Sequence, residues 1–174
     1  MHAETTLSPA ALRRLWLQLA EQQDLPDRYE LTEHGELVVS PKPTNRHQLL
    51  CAEVAFQLRT QLGGLAVVEA AVLTAAAGVR VPDVVWMPSE RWKVVTTAED
   101  LLEAPDLVVE VLSPGNRKTE VEHKVQAYLA SGIREVIVIG LLGELDFHSC
   151  DGCRAASAFG VTLTLAPEWF RRPA

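Results

Sequence analysis

The chain has 174 residues, of which 48% are hydrophobic and 22% charged, with a formal charge of −7 and a sequence pI near 5.2. This balance excludes a disordered chain and fits one domain over residues 1–174, long enough to bury about two-thirds of its unfolded surface. Net negative charge excludes a protein that coats nucleic acid nonspecifically; no apolar run approaches the about 18 residues of a membrane span, no secretory stretch follows Met1, and a cytoplasmic protein is expected.

Ser8-Pro9 before ALRRLWLQLAEQQ predicts an N-capped helix with Leu12, Leu15, Trp16 and Leu19 on one face, ending before Pro26. YELTEHGELVVSP predicts a hairpin in which Tyr29 to Leu31 and Glu36 to Val39 flank a turn at His34-Gly35, with Pro41 and Pro43 stopping the second strand. Thr44-Asn45 caps an expected helix from Arg46 to Leu62, whose Leu49, Leu50, Val54 and Leu58 follow the helical period, and Gly63-Gly64 closes it.

Strands are then expected at LAVVEAAVLT, VRVPDVVWMP and, after a short TAEDLLEA helix, LVVEVLS. Pro82 lacks an amide donor and belongs at a strand start or bulge. A helix follows from Thr119 to Ser131, with Gly132 at its end, and EVIVIGL reads as a strand covered on both faces. ELDFHS, AASAF and VTLTLA complete an antiparallel meander around Asp151-Gly152 and Gly160. The order predicts a mixed α+β fold, a mixed sheet with helices packed against it.

Cys51, Cys150 and Cys153 read as thiols. Cys150 and Cys153, with His148 just before them, raise a zinc or redox site, but no second pair completes four ligands and Asp151-Gly152 is a strong hairpin turn.

Chemistry concentrates between Val79 and Tyr128. Asp83 opens an apolar run and Glu110 interrupts another, and a buried unpaired carboxylate costs several kcal/mol, so each acid needs a cation, a hydrogen-bond set or a metal. Strand alternation puts Glu110 and Leu112 on one face, while Glu120, Lys124 and Tyr128 form one polar stripe of the next helix. Gly115-Asn116 folds that helix back beside the strand and brings Lys124 toward Glu110. Two acids followed by a lysine suggest a metal site with a catalytic ammonium. The structural alternative pairs Asp83 and Glu110 with Arg80 and Lys124.

As a set, YELTEHGELVVSP, His47, VRVPDVVWMP, APDLVVEVLSPGNR, the stripe Glu120, Lys124, Tyr128, and SGIREVIVI resemble the Uma-two endonuclease family of the PD-(D/E)XK superfamily. The resemblance implies a restriction-endonuclease-like mixed central sheet flanked by helices and hydrolysis of DNA phosphodiester bonds with Mg²⁺ or Mn²⁺. It maps the PD pair onto Pro82-Asp83 and the ExK acid onto Glu110, while Leu112 stands where the lysine would be and Lys124 is placed to supply it. On this reading Asp83, Glu110 and the Val111 carbonyl hold the ion, Lys124 orients the attacking water, Glu120 holds Lys124 and Tyr128 adds a hydroxyl. His47 and Glu53 are accessory ligands or substrate contacts. The chain has Glu120 where the family usually has Asp, and His34-Gly35 where it usually has Asp-Gly.

Arg80, Arg91, Lys93, Arg117, Lys118 and Arg171-Arg172 are candidates for a basic rim, and a groove between the two copies of a homodimer could receive the DNA backbone. The reading from another class is a catalytically silent nuclease-fold module that binds protein or nucleic acid.

Overall fold

The computed structural model describes residues 6–22, 24–26, 28–95 and 101–170. In chain order these form α1 (Pro9–Ala20), β1 (Tyr29–Leu31), β2 (Leu37–Val39), α2 (Asn45–Leu62), β3 (Leu65–Val68), β4 (Val72–Thr74), β5 (Gly78–Arg80) and β6 (Val84–Met87). There follow α3 (Ser89–Val95), β7 (Leu102–Glu103), β8 (Leu107–Val111), α4 (Lys118–Ala130), β9 (Glu135–Ile139), β10 (Leu145–Ser149), β11 (Gly152–Arg154) and a 3₁₀ turn at Pro167–Phe170. The fold is mixed α+β, as the order of sequence patterns predicts, but the strands form two mixed sheets, ordered β2-β1-β5-β4-β7 and β11-β10-β9-β8-β6-β3.

Local chemistry sets the helix ends. Ser8 Oγ accepts from the Ala11 amide at 3.2 Å, and Thr44 Oγ1 accepts from the His47 amide at 3.2 Å, so each helix starts where its side-chain cap predicts. Gly64, at φ +64°, carries the chain out of α2 so closely over the end of β6 that a Cβ would lie 2.5 Å from the Met87 carbonyl oxygen.

The division into two sheets comes from two breaks, one that Pro82 marks in the sequence and one at Glu69 that the apolar pattern conceals. LAVVEAAVLT is interrupted at Glu69, whose φ of +57° is left-handed, and VRVPDVVWMP is interrupted at Pro82-Asp83. Each segment therefore gives two strands, with Val68 paired to Val84 in one sheet and Val72 paired to Arg80 in the other. The breaks lie side by side, joined by a hydrogen bond from the Glu69 amide to the Asp83 carbonyl at 3.2 Å. An antiparallel pair thus changes sheets as a unit, leaving Asp83 at the seam.

The six-stranded sheet is covered on both faces. Leu50, Val54 and Leu58 of α2 pack on Val84, Leu107, Val109 and Ile137, while Val125 and Tyr128 of α4 pack on Val85, Val108 and Val136. All five residues of β9 are buried, which explains the apolar run at residues 136–139, and its first residue, Glu135, accepts from the Ser157 hydroxyl at 2.7 Å and the Ala158 amide at 2.6 Å. In the other sheet, Leu12 of α1 packs on Leu31, Leu73 and Val79.

Three sequence expectations are corrected. Of TAEDLLEA, residues 97–100 lie outside the described residues, Leu102–Glu103 pair in parallel with β4 as a strand, and the helix of this region is the earlier Ser89–Val95. AASAF forms no strand, and the hairpin partner of β10 is Gly152–Arg154. VTLTLA alternates as a strand would, with Val161 and Leu163 buried and Thr162 and Thr164 exposed, yet it pairs with no strand. Gln57 and Gln61, one turn apart on α2, take that role instead. Gln57 donates to the Thr164 carbonyl at 2.7 Å and accepts its amide at 2.8 Å; Gln61 does the same for Thr162 at 2.8 and 2.9 Å. Each side-chain amide thus imitates one residue of a neighbouring strand.

Gln57→Ala should remove two of these bonds and destabilise the fold by about 1–3 kcal/mol, at about 0.5–1.5 kcal/mol per bond. Hydrogen exchange should report the loss chiefly at the Thr164 amide, with β9 amides keeping their protection relative to global unfolding.

Candidate metal and catalytic site

A cavity of about 590 Å³ opens at the seam, lined among others by Arg28, Glu30, His47, Glu69, Asp83, Glu110, Val111 and Lys124. Asp83 is fixed by the strand break. Its Oδ2 accepts from the Val111 amide of β8 at 2.7 Å, while Oδ1 lies 2.9 Å from His47 Nε2 and 3.7 Å from the Arg28 guanidinium. Arg28 in turn pairs with Glu69 at 2.9 Å, and Gln48 donates to the same carboxylate at 3.3 Å.

Glu110 reaches the cavity from the face of β8 that packs under α4. The Tyr128 hydroxyl donates to its Oε1 at 2.7 Å, and the Lys124 ammonium lies 3.6 Å from the same oxygen. Lys124 donates to Glu30 Oε1 at 3.1 Å. Glu30 is itself anchored by the Val81 amide at 2.9 Å and by Arg80 at 3.1 Å.

Two ion-pair groups meet at the cavity, Asp83 and Glu69 about Arg28 and Glu30 and Glu110 about Lys124 and Arg80; with all four carboxylates ionised they outnumber the three cations by one. Burial pushes the Glu110 carboxyl up to about 7, and Asp83 and Glu30 add to the rise while Lys124 and the Tyr128 hydroxyl oppose it. Burial also acts upward on Glu30, but Lys124, the Val81 amide and Arg80 together hold it below the usual carboxylate range. Burial acts downward on Lys124, but Glu110 and Glu30 raise it above the ordinary 10.5, so it stays an ammonium at neutral pH. Burial, with Glu110 beside it, lifts the Tyr128 phenol well above 10.0 and keeps it a donor. Cys51, packed behind His47 and Asp83, is pushed up to about 12 by burial and by the charges of Asp83 and Glu69.

The structure gathers Asp83, Glu110, Lys124, Tyr128, His47 and Val111 of the sequence candidates. At Val111 the contact seen is its amide donating to Asp83. Glu120 lies apart. It caps the start of α4, accepting from the Arg117 amide at 3.4 Å, and Glu30 takes the place at Lys124 that the polar stripe assigns to Glu120. Glu53 accepts from Gln57 at 2.8 Å, away from the cavity. Of the rim cations, Arg80 belongs to the site through Glu30 rather than Asp83, and the others are engaged elsewhere: Arg91 with Asp106 at 2.6 Å, Lys93 with Glu90 at 3.0 Å, Arg117 with Glu120 and Lys118 with Glu122 at 3.8 Å each. Arg171-Arg172 lies outside the described residues. Cys150 and Cys153 are exposed at the β10–β11 hairpin; among the described residues, the group of three or more His, Cys, Asp and Glu placed to hold a metal is His47, Cys51 and Asp83.

Sequence reasoning misses Glu30, Arg28 and Glu69. Glu30 carries the same signal as Glu110, an acid between Tyr29 and Leu31 within a short strand, and it is only 6% exposed. Arg28 and Glu69 carry none, because a chain turn and a left-handed residue place them.

The profile of the Uma2 family, described as "Putative restriction endonuclease", matches residues 16–145. Among solved structures the chain is similar to the "Crystal structure of a putative nuclease belonging to DUF820" from Anabaena variabilis, with a TM-score of 0.64 and 19% identity over 94% of this chain and 97% of that one. At that identity the likeness concerns the fold. No curated protein matches the chain.

Glu110 holds its proton more tightly in the folded chain than at its ordinary 4.5. Between pH 4.5 and about 7 the folded state therefore binds more protons than the unfolded state, and this group's contribution to stability should decline as pH rises through that window. Glu30, held low, acts oppositely: its contribution is present above 4.5 and lost as pH falls through its folded value. Denaturant unfolding without metal should show Glu110→Gln removing the decline toward pH 7 and exceeding the wild type in stability above it.

Proposed function

The chain belongs to the Uma2 family, and from that premise we propose that the seam cavity is the active site of a metal-dependent endonuclease that hydrolyses phosphodiester bonds of DNA. The observation that carries this reading is the approach of two buried carboxylates, Asp83 and Glu110, to one cavity that also holds the Lys124 ammonium. No helix among the described residues is long and apolar enough to cross a membrane, and we place the activity in a single cytoplasmic domain.

The donor set fits Mg²⁺ or Mn²⁺. Asp83 and Glu110 offer hard oxygens, and the excess of carboxylates over cations, once all are ionised, favours a dication. When bound, the ion polarises the phosphoryl oxygen and makes water a usable nucleophile near neutral pH. The chain's own groups supply the rest. The Val111 amide and His47 fix Asp83, and the Tyr128 hydroxyl fixes Glu110. Glu30, tied to the Val81 amide and Arg80, holds the Lys124 ammonium at the cavity, where it orients water and offsets charge growing on the phosphoryl oxygens. Lys124 reaches this position from α4, one helix beyond the strand position occupied by Leu112, so strand and helix share a task that one strand performs in the ExK pattern.

Mg²⁺ or Mn²⁺ at a hundredfold excess over its dissociation constant should stabilise the wild type by about 2.7 kcal/mol. Asp83→Asn and Glu110→Gln should abolish that shift while remaining folded; unfolded variants would mark the acids as structural ion-pair members. Lys124→Ala should retain the metal-induced shift yet lose plasmid nicking by at least about a hundredfold, the scale for losing one preorganised transition-state donor. Undiminished nicking by Lys124→Ala, or a thermal midpoint indifferent to both ions, would favour the silent binding module.

A further inference from the structure

We propose that His47, Cys51 and Asp83 form a second cation site, suited to a thiophilic divalent ion of the zinc class rather than to Mg²⁺. His47 and Cys51 stand one helical turn apart on α2, so both donors leave the same face of the helix. That face is turned to the sheet seam, where Asp83 is held by its strand break. The three ligand atoms all lie within 4.8 Å of one another, and His47 Nε2 is 2.9 Å from Asp83 Oδ1. An imidazole nitrogen, a thiol sulfur and a carboxylate oxygen are the donor mixture that zinc-like ions take, whereas magnesium demands oxygen ligands.

The surroundings reinforce the donor set. Asp83, Glu69 and Glu110 direct negative charge at the Cys51 sulfur, outweighing Arg28 nearby. The same field that repels a bare thiolate attracts a dication. Binding releases the thiol proton to solvent as the sulfur–metal bond forms; His47 Nε2 gives up the proton it donates to Asp83, the neutral imidazole carrying it on Nδ1 instead, and metal bonds replace that hydrogen bond. Cys51 is sealed in the core, only 1% exposed, while His47 and Asp83 line the cavity, so an ion enters from the cavity side and keeps its fourth position toward it. Asp83 belongs to both donor sets, and zinc occupancy takes one of its oxygens from the hard-ion position.

The metal-free full-length chain, titrated with Co²⁺ as a spectroscopic stand-in for zinc, provides the test. One equivalent should bind with tetrahedral visible bands and a near-ultraviolet thiolate-to-cobalt charge-transfer band, displaced by Zn²⁺ and not by Mg²⁺. Cys51→Ser should abolish the charge-transfer band, and the double variant Cys150→Ser with Cys153→Ser should retain it, which separates this site from the exposed hairpin thiols. His47→Gln leaves the buried sulfur in place, and it should weaken Co²⁺ binding by more than the about 10–100-fold that loss of an outer hydrogen-bond partner costs. It decides the matter if thermal unfolding without metal shows Cys51→Ser to be misfolded. A wild type without the band, a band that survives Cys51→Ser, its loss in the hairpin double variant, or unchanged affinity in His47→Gln would overturn the site. The readout is spectral and independent of cleavage, so failure of this proposal and failure of the nuclease reading are separate results.

Discussion

The hydrogen bond from the Val111 amide to Asp83, at 2.7 Å, is the contact on which the site depends. It joins the residue at the break between β5 of one sheet and β6 of the other to β8, a central strand of the six-stranded sheet. Beside it, the Glu69 amide bonds the Asp83 carbonyl, so both chain breaks are locked to the same point. A buried carboxylate requires partners. At Asp83 those partners come from β8, α2 and the turn before β1, so folding the seam and building the cavity are one event. The cost of burying the acid is offset only when all three elements are in place.

Glu110 presents the complementary case. Its partners, Tyr128 and Lys124, come from a single helix that follows it directly in the chain, and they leave it incompletely compensated. With all four carboxylates ionised, the site is one cation short of balance. A fold built only for stability could have replaced the acid with an apolar residue of similar size at little cost or some gain. An acid kept here, with its proton affinity raised by burial and by two neighbouring carboxylates, is poised to exchange that proton for a cation. Perturbed carboxylates of this kind concentrate at functional sites.

Helix α2 serves three surfaces at once. Leu50, Val54 and Leu58 face the core, His47 and Cys51 face the seam, and Gln57 and Gln61 receive the chain's last extended segment. The glutamines show why alternation alone misleads. Val161 and Leu163 bury one side of that segment as a strand would, but the partner for its backbone is a pair of side-chain amides with helical spacing. The apolar pattern specifies which side chains are buried; it does not specify what satisfies the peptide groups.

The sequence by itself determined the helices with side-chain caps, the buried strand β9, the mixed α+β class, and the conjunction of Asp83, Glu110, Lys124 and Tyr128 that singles out one region. These follow from local rules: caps, periodicity, and the cost of an acid in an apolar run. Pro82 marked one break in advance, but only the tertiary structure decided that a left-handed Glu69 breaks the other run beside it and that each run gives strands to different sheets. It also decided that Glu30, 94 residues from Lys124 in sequence, holds the lysine, while Glu120, four residues away, turns to cap its own helix. The reason is physical. A charged side chain pairs with whichever opposite charge can share its burial, and burial is a property of the assembled fold rather than of spacing along the chain.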